Sequence, residues 1–300
     1  MSSFPAPYSV DIALSARSHE RIGGRRTDAA WLEEKWADPA TRVLVLAGGR
    51  FPVGDDGGSV RWLAPADAPE GERLLLGERD GVVHFAVLAR GLRAPDDWGM
   101  LRTVGPRLSP EDAGLVVQAQ ALAEWHRAHR FCARCGGGLV VGGGGYVLRC
   151  ESCDRQHFPR TDPAVIMLVV DDDDRALLGR QPSWPQGRFS TLAGFVDPGE
   201  SLEQAVAREV MEEAAVEVTD VTYFGNQPWP FPASLMVGFF ARAATTEITV
   251  DADEIEEARW FTREEVLAGA AAGELVLPGG ISISRSLVEA WYGGPLPGHW

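Results

Sequence analysis

Twenty-three residues, Gly194 to Val216, constrain this chain more than any other stretch: GFVDPGESLEQAVAREVMEEAAV. Glu209, Glu212 and Glu213 stand at i, i+3 and i+4, so a helix through them crowds three carboxylates onto one face. Like charges weaken a bare helix, and a divalent cation is the obvious remedy. Ser201 can cap that helix, with Gln204 three residues on to complete a capping box. Val206, Val210 and Ala214 give an apolar stripe at i, i+4 and i+8 that can pack on a sheet. Gly194 and Pro198-Gly199 make a loop able to fold over the helix start. A loop above an acid-faced helix can hold hard cations against phosphate oxygens. Taken alone, three glutamates suit a solvated surface helix equally well.

A second constraint is the cysteines, of which the chain has four: Cys132, Cys135, Cys150 and Cys153. Two CxxC knuckles at this separation can deliver four thiolates to one tetrahedral Zn²⁺. Four protein ligands leave no position for water, so one zinc per chain is expected in a structural role. Disulfides are disfavoured by the reducing setting argued below. His126 and His129, just upstream, read as packing or surface residues because the cysteines already complete the set. Gly142 to Gly145 serve as a flexible hairpin tip and lack the Lys-Ser/Thr of a phosphate loop. The loop between the knuckles carries a single basic residue, Arg149, which argues against a nucleic-acid surface.

Three hundred residues suggest two domains and a sizeable core. A formal net charge of −15 argues against broad binding to a nucleic-acid backbone, while leaving recognition of one terminal nucleotide open. The opening MSSFPAPYSV has no basic segment followed by an apolar run, no apolar stretch approaches the ~18 residues of a membrane span, and Pro297-Gly298-His299-Trp300 matches no retrieval address. A soluble cytoplasmic protein without a membrane partner is the expectation.

Residues 1 to about 107 read as a small β-rich domain. Val43–Leu46 and Val82–Leu88 look like strands, with loops at Phe51–Ser59 and Ala64–Gly71, and no catalytic constellation is present. A helix then begins at Ser109-Pro110-Glu111-Asp112, a cap, a first-position proline and first-turn acids. Ala164–Val170 reads as a buried strand, and Asp171–Asp174 as a solvated hairpin turn. Leu235–Ala241 is strand-like, Asp251–Glu257 is acidic, Trp260-Phe261 ends a strand before a short helix, and Ile281–Tyr292 closes the chain as a helix. In Gln227-Pro228-Trp229-Pro230-Phe231-Pro232-Ala233-Ser234 the alternating prolines stiffen an extended backbone and present Trp229 and Phe231. The expected division is 1–127, 128–160 for the zinc ribbon, and 161–300.

The stretch from Gly194 to Val216 resembles the Nudix box, matching Gly, five residues, Glu, seven residues, then Arg-Glu-(apolar)-x-Glu-Glu-x-Gly-(apolar) at every position but one. The family's last glycine is Ala215 here. QPWPFPxS behind the box and four cysteines in front resemble the NADH pyrophosphatase branch of the Nudix hydrolases, with Asn226 where that branch usually has serine. The likeness runs from about Leu101 to the C-terminus.

The resemblance implies an α+β protein: a Nudix α/β/α sandwich with a mixed sheet, behind a four-cysteine zinc ribbon and an extra N-terminal domain. It implies hydrolysis of the NADH or NAD⁺ pyrophosphate to AMP and the (reduced) nicotinamide mononucleotide. Mg²⁺ or Mn²⁺ would be held by Glu209, Glu213, Glu254 and the Ala193 carbonyl, to neutralise phosphates and activate water. Glu212 would share the metal or orient water, Arg208 would orient the acids, and Glu200 would hold a water or metal behind them. Phe158 would stack on a base, and Gln227 to Ser234 would form or brace the rest of the pocket. The resemblance also implies Ser284 among the substrate-binding residues, and a homodimer. Two alternatives stand: the same chemistry on NAD-capped RNA, and a non-catalytic nucleotide sensor, which would be expected to have a broken box and a DNA-binding helix pair.

Overall fold

The computed structural model describes residues 12–250 and 253–298. The N-terminal leader reading, Asp251 and the closing His299-Trp300 fall outside the described residues. The chain forms two compact units. One is Ala16–Thr161 with Trp229–Ala233; the other is Asp162–Pro228 and Ser234–Trp300, joined by the segment ending at Ser15.

In the first unit α1 (Ala29–Ala37) begins at Asp28, whose carboxylate accepts from the Trp31 amide. There follow β1 (Arg42–Leu46), β2 (Arg50–Phe51), β3 (Gly71–Arg79), β4 (Val82–Ala89), β5 (Gly99–Met100), α2 (Leu101–Val104) and α3 (Pro110–Ala128). The sheet order is β1-β4-β3, with β1 parallel and β3 antiparallel to β4, and β2 pairs with β5. Trp31, Leu32 and Trp36 of α1 cover Leu75, Val83 and Phe85. The N-terminal region is therefore β-rich as expected, and also carries α1 and β3, which the sequence reading passed over. The α3 cap forms at Ser109, whose hydroxyl accepts from the Asp112 amide.

The zinc ribbon is a three-stranded antiparallel sheet of β6 (Leu139–Gly142), β7 (Val147–Cys150) and β8 (Gln156–His157). Gly142–Gly145 join β6 to β7, but this tip is packed and not free. Gly145 has φ 93°, a Cβ there would collide with Leu74, and its carbonyl lies 2.8 Å from His126 Nε2. His129 Nδ1 lies 2.9 Å from the Trp125 carbonyl, so both histidines are packing residues.

The second unit holds β9 (Asp162–Val170), β10 (Ala176–Arg180), β11 (Leu192–Phe195), α4 (Leu202–Ala214), β12 (Val218–Trp229), β13 (Ser234–Ala243), β14 (Glu257–Phe261), α5 (Arg263–Ala272) and α6 (Ile283–Tyr292). Its mixed sheet runs β12-β13-β9-β10-β14, with β11 also on β9; β13 lies parallel to β9 and β11 antiparallel. Residues of β9 alternate between faces, as a strand requires. Val165, Met167 and Val169 pack on Val206, Val210 and Ala214 of α4, while Ile166, Leu168 and Val170 pack on Val266, Leu287 and Trp291 of α5 and α6. This is the α/β/α sandwich. The 171–174 turn joins β9 to β10 but is not uniformly solvated. Asp171 is buried against Arg175, and Asp174 accepts from Arg263. No helix among the described residues is long and apolar enough to cross a membrane.

Candidate active site

The acid-faced helix forms as its caps dictate. Ser201 and Gln204 complete the capping box of α4, and the apolar stripe turns Glu209 and Glu213 inward against the sheet. Glu212 stays exposed, its carboxylate 2.8 Å from Arg208 Nη1. Arg208 is the hub of the site. Nε and Nη2 hold Glu200 at 2.6 and 2.9 Å, Nη1 holds Glu209 at 2.8 Å, and Nη2 donates to the Phe195 carbonyl at 2.9 Å. Glu200 also accepts from the Asp197 amide at 2.9 Å, which closes the loop before the helix. The Arg208 guanidinium holds the Glu200 carboxyl down at about 2.

Glu209 and Glu213 are in the opposite condition. Burial, with Glu209 and Glu254 facing it, pushes the Glu213 carboxyl up to about 8 against a backbone hydrogen bond from Ala193. Burial also raises Glu209, against the pull of Arg208. Glu213 Oε2 is buried with no hydrogen-bond partner. A Cβ at Gly194 would collide with the Glu209 carboxylate, so glycine there leaves that carboxylate its place beside β11. These groups line a cleft of about 620 Å³ with Ala193, Phe195, Gln181, Asp253 and Glu254. A buried orphan carboxylate oxygen in an all-oxygen donor set fits a hard divalent cation.

The four thiolates lie within 4.8 Å of one another, with Cys132–Cys153 Sγ atoms 3.7 Å apart and Cys135–Cys150 3.5 Å. Zinc–sulfur bonds of ~2.3 Å in a tetrahedron place sulfurs ~3.8 Å apart, so the cluster fits zinc. Among the described residues no other trio of His, Cys, Asp and Glu brings ligand atoms that close. The cleft carboxylates stand further apart, with Glu209 and Glu212 drawn to Arg208.

Other expected residues divide by burial. Gln227 is wholly buried; its Nε2 donates to the carbonyls of Ala13 and Ile281, and its Oε1 accepts from the Ile283 amide. It braces the entry to α6. Ser284 is also buried, its Oγ accepting from the Thr191 amide at 3.2 Å and 2.9 Å from the Ser190 and Thr191 hydroxyls, so it pins the approach to β11. Pro228 lies in β12, Ser234 opens β13, and Pro230 to Ala233 form the turn between, with a cis bond at Phe231–Pro232. Trp229 and Phe231 meet edge to face at 5.1 Å, with the Arg102 guanidinium 4.0 Å from the Phe231 ring centre. Phe158 is exposed beyond β8.

Two further residues, Phe195 and His157, stand at these sites without having been expected there. Phe195, 59% exposed at the cleft, is an aromatic on a loop-side strand end, and its place inside the box was the available signal. His157, whose Nε2 lies 3.4 Å from Cys132 Sγ, is four residues beyond the last cysteine and carries no spacing signal.

Three family models match the chain: the NUDIX domain over residues 160–277, the NADH pyrophosphatase zinc ribbon domain over 127–158, and the NADH pyrophosphatase-like rudimentary NUDIX domain over 33–125. An NAD-capped RNA hydrolase NudC of Mycobacterium bovis is 40% identical over 93% of this chain and 94% of its own. The chain belongs to the Nudix hydrolase family. Its matches place it in the NADH pyrophosphatase branch. A NudC of Mycobacterium tuberculosis is equally similar, and the human NAD-capped RNA hydrolase NUDT12 is 44% identical over 62% of this chain and 43% of its own. For this Nudix hydrolase the match over 33–125 also gives the N-terminal region a family, a rudimentary relative of the catalytic domain.

Proposed function

We propose that the cleft hydrolyses the pyrophosphate bond of NADH and NAD⁺, releasing AMP and the (reduced) nicotinamide mononucleotide. The observation that carries this reading is the buried pair Glu209 and Glu213, one with an orphan oxygen, both raised by burial among like charges. Glu209, Glu213, Glu254 and the Ala193 carbonyl are the proposed holders of Mg²⁺ or Mn²⁺. Such a cation supplies Lewis-acid neutralisation of the pyrophosphate oxygens. The chain's own residues supply the rest. Arg208 fixes Glu200, Glu209 and Glu212 by four hydrogen bonds, so the acids are oriented before substrate arrives. Gly194 admits the Glu209 carboxylate beside β11. Phe195 offers an exposed ring in the cleft wall on which a base can stack. Phe158, Trp229 and Phe231 are assigned substrate selection, and Gln227 and Ser284 the bracing of the framework.

A second reading is the same bond cleavage at the NAD cap of RNA, which the names of the relatives favour. The division at 1–127, 128–160 and 161–300, a homodimer, and a cytoplasmic setting complete the proposal. The intact carboxylate set speaks against the sensor.

Product chromatography tests it, with NADH, NAD⁺, ADP-ribose and NAD-capped RNA offered separately with Mg²⁺ or Mn²⁺. AMP and reduced mononucleotide from NADH support the proposal. Cleavage of ADP-ribose alone would leave a Nudix hydrolase of another substrate class.

A further inference from the structure

Two of the three carboxylates assigned to the cation come from one helix. The backbone of α4 fixes Glu209 and Glu213, whereas Glu254 is exposed on the turn before β14. Glu209 and Glu254 both face Glu213, and like charges push such a turn outward unless something holds it. The holder is Arg180, at the end of β10 and only 8% exposed. Its carbonyl accepts from the Glu256 amide at 2.9 Å, and its Nη2 pairs with Glu256 Oε1 at 2.9 Å. Nη1 donates to the Trp184 carbonyl at 3.1 Å. Nε makes no hydrogen bond and has Glu257 Oε2 at 3.8 Å. Short spans of chain link these contacts to the cleft. On one side Ile255, buried in the core with Val206 and Val210, separates Glu256 from Glu254. On the other, Gln181, Pro182 and Ser183 run from Arg180 to Trp184. Glu254 and these three residues line the cleft. One guanidinium thus ties both segments, all within the second unit.

A buried guanidinium is costly to desolvate, and its planar fork serves two acceptors in fixed directions where an ammonium is a single point of charge. We propose that Arg180 is a positioning residue for the cation site. Through Glu256 and the Trp184 carbonyl it holds segment 253–256 against the 181–184 turn, and so presents Glu254 to the cation that Glu209 and Glu213 share. The proposal rests on the assignment of Glu254 to that cation. The competing role for Arg180 is a plain clasp of β10 to β14, which acts on stability alone.

The test compares the zinc-loaded parent with Arg180→Lys, Glu256→Ala, Glu254→Gln and the double variant Arg180→Lys/Glu254→Gln. Mn²⁺ binding is measured by calorimetry without substrate, beside thermal melting and the Mn²⁺ dependence of NADH hydrolysis. Arg180→Lys keeps the charge and loses the fork, while Glu256→Ala opens the latch at its more exposed end. Each should weaken the Mn²⁺ site that Glu254→Gln weakens, by about tenfold, the low end for partners standing behind a metal ligand. Lost turnover should return as Mn²⁺ is raised. The double variant should bind Mn²⁺ no more weakly than Glu254→Gln alone, because Arg180 acts through that carboxylate. Parent-level Mn²⁺ affinity in both latch variants, even with a lower melting temperature, would leave only the clasp and overturn the proposal. So would a further loss of affinity in the double variant. Parent-level Mn²⁺ affinity in Glu254→Gln itself would instead overturn the reading of the cleft, and the proposal with it.

Discussion

Ala215 ends α4 in the left-handed region, at φ 55° and ψ 29°, its amide donating to the Met211 carbonyl. An L-residue there costs roughly 1 kcal/mol against glycine, because Cβ crowds the carbonyl. Ala215→Gly should therefore raise thermal stability by about 0.5 to 1 kcal/mol, read as an upward shift of the melting curve, and leave turnover unchanged. A lower melting temperature would mean that the Ala215 methyl packs usefully enough to outweigh the strain. The departure from the family pattern thus acts on how the helix stops and leaves the carboxylates in place. At the same scale Arg208 is readable as an organiser and not a substrate contact, since its donors are already taken by Glu200, Glu209, Glu212 and the Phe195 carbonyl.

Among elements, the zinc ribbon and the pair β11–α4 carry most of the meaning. Cys150 is buried at the end of β7, 3.5 Å from Cys135 Sγ, so Cys150→Ser should lose zinc and several kcal/mol together. Metal analysis beside thermal melting checks this; a zinc-free variant that melts like the parent would refute the structural role. Local spacing made these elements legible. Two CxxC pairs, a capping box and glutamates at i and i+4 each act within a few residues, so their geometry is written in the sequence. Gln227 and Ser284 were harder, because their partners lie 54 and 93 residues away in the chain and only the fold brings them together. Asp171 misled for the same reason. An acidic run signals a solvated turn, and nothing local marks the one member that turns inward to Arg175.

At the scale of the whole molecule, the cleft is bought with stability. A carboxyl raised from its ordinary value to about 8 favours the folded state only while protonated. Its contribution is fully present below the unfolded value near 4.5 and is lost as pH rises through about 8. The shift sets a ceiling of about 5 kcal/mol, at ~1.4 kcal/mol per unit, and neighbouring carboxyls that share the titration reduce it. The measurement that tests the central claim most directly is unfolding of the zinc-loaded parent and of zinc-loaded Glu213→Gln without Mg²⁺ or Mn²⁺ from pH 5 to pH 9, beside turnover with Mg²⁺ or Mn²⁺. The parent should lose stability across that range and regain it when the cation is added. The variant should be flatter with pH, at least as stable as the parent at pH 9, and slower by orders of magnitude. A variant that turns over like the parent, or a parent whose stability is indifferent to both pH and cation, would contradict the assignment of these buried carboxylates as the metal-holding centre of the enzyme.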